Sequence, residues 1–253
     1  MKLSGALRPS VLFAAAFALV TTPHEAAHAG TAHLLGFNLT LFKMWVNPDA
    51  ASATPWQSFA IAIAGPIFSL MLALVSWMLY RTRFKERCSG LLFLMLTIVG
   101  MYSFLGPMAA AVFGGDFNTA FQALGVPRPI AYAVSVAGLV SLSAFMFAMG
   151  RELLGWGSPD DSRWKTVRMM TLGPWLLGML LVLLMYWPLP KFMIGPNVLG
   201  SIFWVFAVAG ASFSKAPPHR TNAGSALTLS DMIATILAIS MILSTTSGIR
   251  MAR

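Results

Sequence analysis

Seven apolar stretches separated by short polar loops constrain this chain more than any other feature. They run over about residues 8–35, 57–80, 89–113, 129–150, 169–189, 198–214 and 226–248. Each is near the roughly 20 residues an α-helix needs to cross a bilayer. Hydrocarbon offers the backbone no hydrogen-bond partners, so such stretches must close their bonds internally as helices. With 57% hydrophobic and 10% charged residues, the chain lies far below the roughly 25% charged content of soluble domains. The expected fold is an all-α polytopic membrane protein of about seven transmembrane helices, with residues 1–253 forming a single membrane domain. A net charge of +9 would point to nucleic acid in a soluble protein. Here Lys and Arg sit in short loops between apolar runs, where orientation bias and anionic headgroups account for them. The lipid bilayer is therefore the expected partner, and nucleic acid is not. The lone cysteine, Cys88, excludes an internal disulfide framework and a cysteine-rich zinc site.

Alternating the flanks of seven spans puts twelve of the 17 Lys and Arg on the N-terminal side and five on the other. The positive-inside rule then favours a cytoplasmic N-terminus and an external C-terminus. A competing reading makes residues 1–29 a cleaved leader, with a basic start, an apolar run and a small-residue site at Ala27-His28-Ala29. The apolar pattern continues past that site, which favours a helix that stays.

The first span ends in TTPHEAAHAGTAHLLGFN. His24-Glu25-Ala26-Ala27-His28 is an HExxH sequence. Residues four apart lie on one helix face, so two imidazoles can occupy two tetrahedral positions around one zinc ion. Glu25 can take the proton of the water that the metal activates. The chain holds only four histidines, so chance placement of this pattern is rare. Ionisable groups inside a span are costly and mark function; the bland alternative is a helix end reaching the interface. His33 nearly completes a longer zinc motif but is one residue short. On a continuous helix it lies about 180° from His24 and 140° from His28, and so faces away.

A third ligand must come from elsewhere. Asp231 follows Thr228 by three residues and reads as part of a capping box. Asp160 and Asp161 lie in a basic loop. Asp116, in AVFGGDFNTAFQALG, closes an apolar run after two glycines, which allow close backbone approach. It can be a ligand, the N-cap of the helix FNTAFQAL, or both. Span parity brings residues 24–28, Gly65-Pro66 and Asp116 into one leaflet.

These segments resemble the site-two protease family of intramembrane zinc metalloproteases. HEAAH, the following LLGFNLTLF, IAGPIFSLMLA and GGDFNTAFQAL carry the resemblance, over about residues 10–125. The family's asparagine position is Ser69 here, and Phe117 replaces the glycine after the aspartate. The resemblance implies a metalloprotease core over 8–125, with 126–253 as accessory transmembrane helices. It also implies a strand or hairpin after the first helix, one zinc ion on His24, His28 and Asp116, and Glu25 as general base. Residues 37–41 alternate apolar and polar, the strand period, and a strand edge can pair with an extended peptide. Asn38, Leu39, Thr40, Gly65, Pro66 and Ser69 are the expected substrate-binding residues. The implied substrate is a membrane-protein segment, and the implied location a bacterial plasma (inner) membrane. The family carries its zinc nearer the cytoplasmic side, whereas the charge count puts HEAAH nearer the outside. Two other functions fit the same residues: a non-catalytic membrane scaffold of this fold, or a transporter with an ion path. The sequence does not speak to oligomeric state.

Overall fold

The computed structural model describes residues 4–42, 46–48, 52–187, 202–215 and 227–251. Five helices are long and apolar enough to cross a membrane, and two apolar helices are shorter. The architecture is that of an integral multi-pass membrane protein. Helix α1 (Ser4–Leu34) is followed by β1 (Leu39–Leu41), β2 (Val46–Pro48), α2 (Pro55–Leu79), α3 (Gly90–Ala109), the short α4 (Gly115–Ala123) and α5 (Arg128–Leu154). The second half continues with α6 (Arg163–Met185), α7 (Trp204–Phe213), α8 (Leu229–Thr245) and β3 (Ile249–Met251). The start of the sixth predicted span, residues 198–201, lies outside the described residues.

Local sequence explains several boundaries. Thr54 caps α2, accepting from the Gln57 amide, while the Gln57 side chain accepts from the Thr54 amide at 2.9 Å. Pro55 follows at the first helical position, where its missing N–H costs nothing. Within α6, Pro174 cannot donate to the preceding turn, and the turns Arg168–Leu172 and Pro174–Gly178 widen to π geometry. The expected capping box at Thr228 and Asp231 opens α8.

α1 is the central helix. It packs against α2, α3, α6 and α8, while α5 packs on α3 and α7. Of its apolar window 72% is buried, against 28% for α5. Small residues Ala14, Ala15, Ala16 and Ala18 let the neighbours approach α1 closely. The outward faces of α2, α5 and α8 expose Met71, Leu74, Val140, Ile236 and Leu243 among other large apolar side chains. A lipid surround accommodates that surface where water would not.

Two contacts give the direction of α8. At the start of α1, Arg8 and the Asp231 carboxylate form a buried ion pair at 2.8 Å. At its far end, β3 pairs antiparallel with β1, placing Leu39 opposite Met251 and Leu41 opposite Ile249. α8 therefore runs parallel to α1, as a first and seventh crossing must.

The three strands form an antiparallel sheet in the order β2-β1-β3. Leu39 and Leu41 turn inward onto Ala29, Ala32 and Ile61. A strand after the first helix matches the sequence expectation. The open strand edge does not: β1 is the middle strand, paired on both sides. β3 supplies the second partner, and its three residues at the chain's end are too short for a period to reveal.

Candidate metal centre

Among the described residues, one group of ligating side chains could hold a metal ion: His24, His28 and Asp116. Both histidines are buried and Asp116 is half-buried. His24 and His28 lie one turn apart on α1, and their Nε2 atoms are 3.1 Å apart. Asp116 offers Oδ2 to His24 Nε2 at 3.2 Å and Oδ1 to His28 Nε2 at 3.6 Å.

Two of these separations, 3.1 and 3.2 Å, are slightly shorter than the spacing around zinc, and the third, 3.6 Å, matches it. Zinc bonds of about 2.0–2.2 Å in tetrahedral geometry put neighbouring donor atoms about 3.3–3.6 Å apart. The donor chemistry fits as well. Nδ1 of His28 lies 2.6 Å from the Ile61 carbonyl oxygen, which can only accept, so Nδ1 must carry the proton. In the neutral ring the Nε2 lone pair then faces the cluster. Nδ1 of His24 lies 2.9 Å from the buried Ser69 hydroxyl, which fixes the ring's orientation.

Gly65 closes the floor of the site. A Cβ there would lie 2.3 Å from Nε2 of His28 and 2.5 Å from Nε2 of His24. No larger residue fits while both imidazoles hold their places. Gly65, Pro66 and Ser69 share the buried face of α2. Gly65 and Ser69, two of the expected substrate-binding residues, lie against the His24 and His28 rings.

Asp116 arrives from the turn after α3. Gly114 caps α4, and Gly115 adopts φ +81°, a left-handed conformation that glycine enters without strain. Asp116 thus lies within the first turn of α4 and is not its N-cap, a correction to one sequence reading. The helix dipole favours a negative charge there. Phe117 anchors the turn by packing edge-on to Phe104 at 5.8 Å. Asn118 donates to the Ala111 carbonyl at 2.8 Å and folds the loop back. Burial alone would raise the Asp116 carboxyl. Hydrogen bonds and charge interactions with His24 and His28 in their protonated form outweigh that and hold it below the ordinary carboxylate range, and a metal ion would act on it in the same sense. It stays ionised, as a ligand must.

Glu25 is half-buried and interacts electrostatically with His28 and Asp116. On α1 it lies about 100° from His24 and 60° from His28, flanking the pair. His33 is half-buried outside the group, as its helical position predicts. In β1, Leu39 is buried, Thr40 half-buried and Asn38 exposed. Sequence reasoning missed the Ile61 carbonyl, a backbone atom that carries no residue signature. It also missed the role of Ser69, though the spacing of Gly65 and Ser69 by one turn was a usable signal.

Compared with protein-family models, with curated proteins and with solved structures, the chain matches none.

Proposed function

We propose that this chain is an intramembrane zinc metalloprotease that hydrolyses peptide bonds in or near transmembrane segments of other membrane proteins. The observation that carries this reading is the triangle of the buried His24 and His28 with Asp116, whose donor atoms lie 3.1, 3.2 and 3.6 Å apart, close to the spacing around a tetrahedral metal, with Glu25 beside it. Three protein ligands leave one tetrahedral position for water or substrate, the pattern of catalytic zinc. A zinc ion bound there supplies Lewis acidity, bringing a water towards ionisation near neutral pH and polarising a carbonyl. His24, His28 and Asp116 hold the ion. Ser69 and the Ile61 carbonyl orient the two rings. Glu25 takes the proton of the attacking water and returns it to the departing amine nitrogen. The helices around α1 keep bulk water from the site, so a substrate helix must unwind locally to reach it. The resemblance to site-two proteases supports the same assignment, with a bacterial inner membrane as location.

Zinc content of the full chain, purified in detergent, tests the site in the wild type, His28→Ala and Asp116→Ala. About one zinc per chain is expected in the wild type and none in the variants. Cleavage of a panel of transmembrane-segment peptides, absent in Glu25→Gln, tests the activity. Absence of zinc from the reconstituted wild type would sink both. A second reading, a non-catalytic scaffold of the same fold, draws on the paired edges of β1, where an extended substrate would have to displace a strand. Stoichiometric zinc with no cleavage of any peptide would favour it.

A further inference from the structure

The two strands that border β1 reach it differently. β2 follows through a short connection and is its hairpin partner. β3 arrives from the other half of the chain, carried in by α8. α8 rests mainly on α1, through Ala234, Ala238 and Ile242, and turns Met232, Ile236 and Leu243 outward. It leads into β3 through Gly248, whose φ is +79°. A Cβ at Gly248 would lie 2.9 Å from the side chains of Thr40 and Phe42, so the chain crosses close over β1. β3 is three residues long. Ile249 and Arg250 are exposed, and Met251 joins the apolar cluster around Leu39 and Leu41.

β1 in turn lies against the metal centre. Leu39 and Leu41 pack on Ala29 and Ala32, in the part of α1 that follows His28, and on Ile61 of α2. The Ile61 carbonyl is the group that accepts from Nδ1 of His28 at 2.6 Å. A backbone paired to β1 is therefore held in the same corner of the molecule as the ligand rings. A strand offers an extended peptide backbone hydrogen bonds, and alternate side chains give the preference for sequence. β3 uses both. The antiparallel register sets Met251 opposite Leu39, Arg250 opposite Thr40 and Ile249 opposite Leu41. A segment that takes its place needs apolar residues at two alternate positions, with a free choice between them.

We propose that β1 is the receiving strand for an extended substrate segment, and that β3 is the chain's own occupant of that place, which the substrate displaces. The incoming segment runs antiparallel to β1 and carries the apolar, any, apolar pattern of Ile249-Arg250-Met251. The inference rests on the protease reading for the fate of the bound segment, but the exchange of strands can be measured without cleavage. It also gives α8 a task. A tethered competitor acts at an effective concentration on the order of millimolar, so α8 keeps β1 closed to segments that pair poorly.

The test uses the full zinc-loaded chain in lipid nanodiscs, with Cys88→Ser as background. Thr40→Cys with Arg250→Cys locks β3 onto β1, because opposed residues of an antiparallel pair have Cα atoms about 4.5–5.5 Å apart, within disulfide reach. Gly248→Val with Arg250→Pro releases β3: a β-branched residue resists the positive φ, and proline brings no N–H to the ladder. The probe is a labelled peptide of sequence TSGIRMA, that of residues 246–252, added to the Glu25→Gln form of each chain. The locked form should not bind it, and reduction of the same sample should restore binding. The released variant should bind it at least about tenfold more tightly than the background chain. With Glu25 intact, cleavage of transmembrane-segment peptides should follow the same order. Equal binding by the locked and reduced forms would overturn the inference, as would a cross-link that does not form in the folded chain. If the released variant does not fold, the locked and reduced forms decide. Binding in the expected order with no cleavage by any form would keep the exchange and remove the protease reading. Cleavage at one rate in the locked and reduced forms would do the reverse.

Discussion

α1 carries a buried polar group near each end, and the two differ in kind. Near its start, Arg8 and Asp231 neutralise each other at 2.8 Å. The guanidinium also donates to the Cys88 carbonyl at 2.6 Å, and the carboxylate accepts the Thr228 amide at 2.9 Å. Cation and anion neutralise each other, with both the guanidinium and the Thr228 amide on Oδ2, while Oδ1 of Asp231 has no hydrogen-bond partner among the described residues. Near the other end, two imidazole nitrogens and a carboxylate converge with acceptor lone pairs and negative charge and no fixed cation. The comparison separates a tie from a site. Both lie in the low-dielectric interior, but only the second gathers side chains that could hold a metal ion.

Five substitutions break or sharpen that contrast. The largest effect is expected from Glu25→Gln, which should lower peptide cleavage by about 10²–10⁴-fold while zinc content stays at the wild-type level. Loss of zinc along with activity would mean that Glu25 is structural. At the tie, Arg8→Met should destabilise the protein by about 3–5 kcal/mol, because it leaves Asp231 buried and unpaired. Thermal unfolding in detergent reads this. The double variant with Asp231→Asn, which keeps an acceptor for the Thr228 amide, should recover part of the loss. Zinc bound by the folded fraction should not change in either variant, and a change would couple the two groups.

Gly65→Ala should expel zinc while leaving the helices in place, since the new methyl falls on both Nε2 atoms. Zinc analysis alongside circular dichroism checks it. The smallest effect is expected from Ser69→Ala. Removing the hydroxyl that orients His24 should weaken zinc about 10–100-fold, seen as earlier loss to a chelator. Unchanged retention would mean that packing alone sets the His24 ring.

Much of the fold was legible because its cause is local. Apolar runs of bilayer length announce α1, α2, α3, α5 and α6, and HExxH places two histidines on one face through the helical repeat alone. The strand after α1 showed in the alternation of residues 37–41. Asp116 could be suspected from span parity, but its role was open between cap and ligand until the Gly114-Gly115 turn was in place. The β3 pairing and the Arg8–Asp231 tie were not readable, since their partners lie far away in the chain.

The sequence by itself therefore determined that the chain enters a membrane as helices, and that His24, Glu25 and His28 share one part of α1. Those properties follow from residue hydrophobicity and the 3.6-residue repeat. The tertiary structure alone decided that Asp116, 92 positions from His24, lies within reach of both rings. It alone decided that Gly65 makes room for the rings, that Ser69 and Ile61 orient them, and that β1 has no free edge. These depend on how closely helices pack and in which register strands meet, and such distances are set by the fitting of side chains across the bundle.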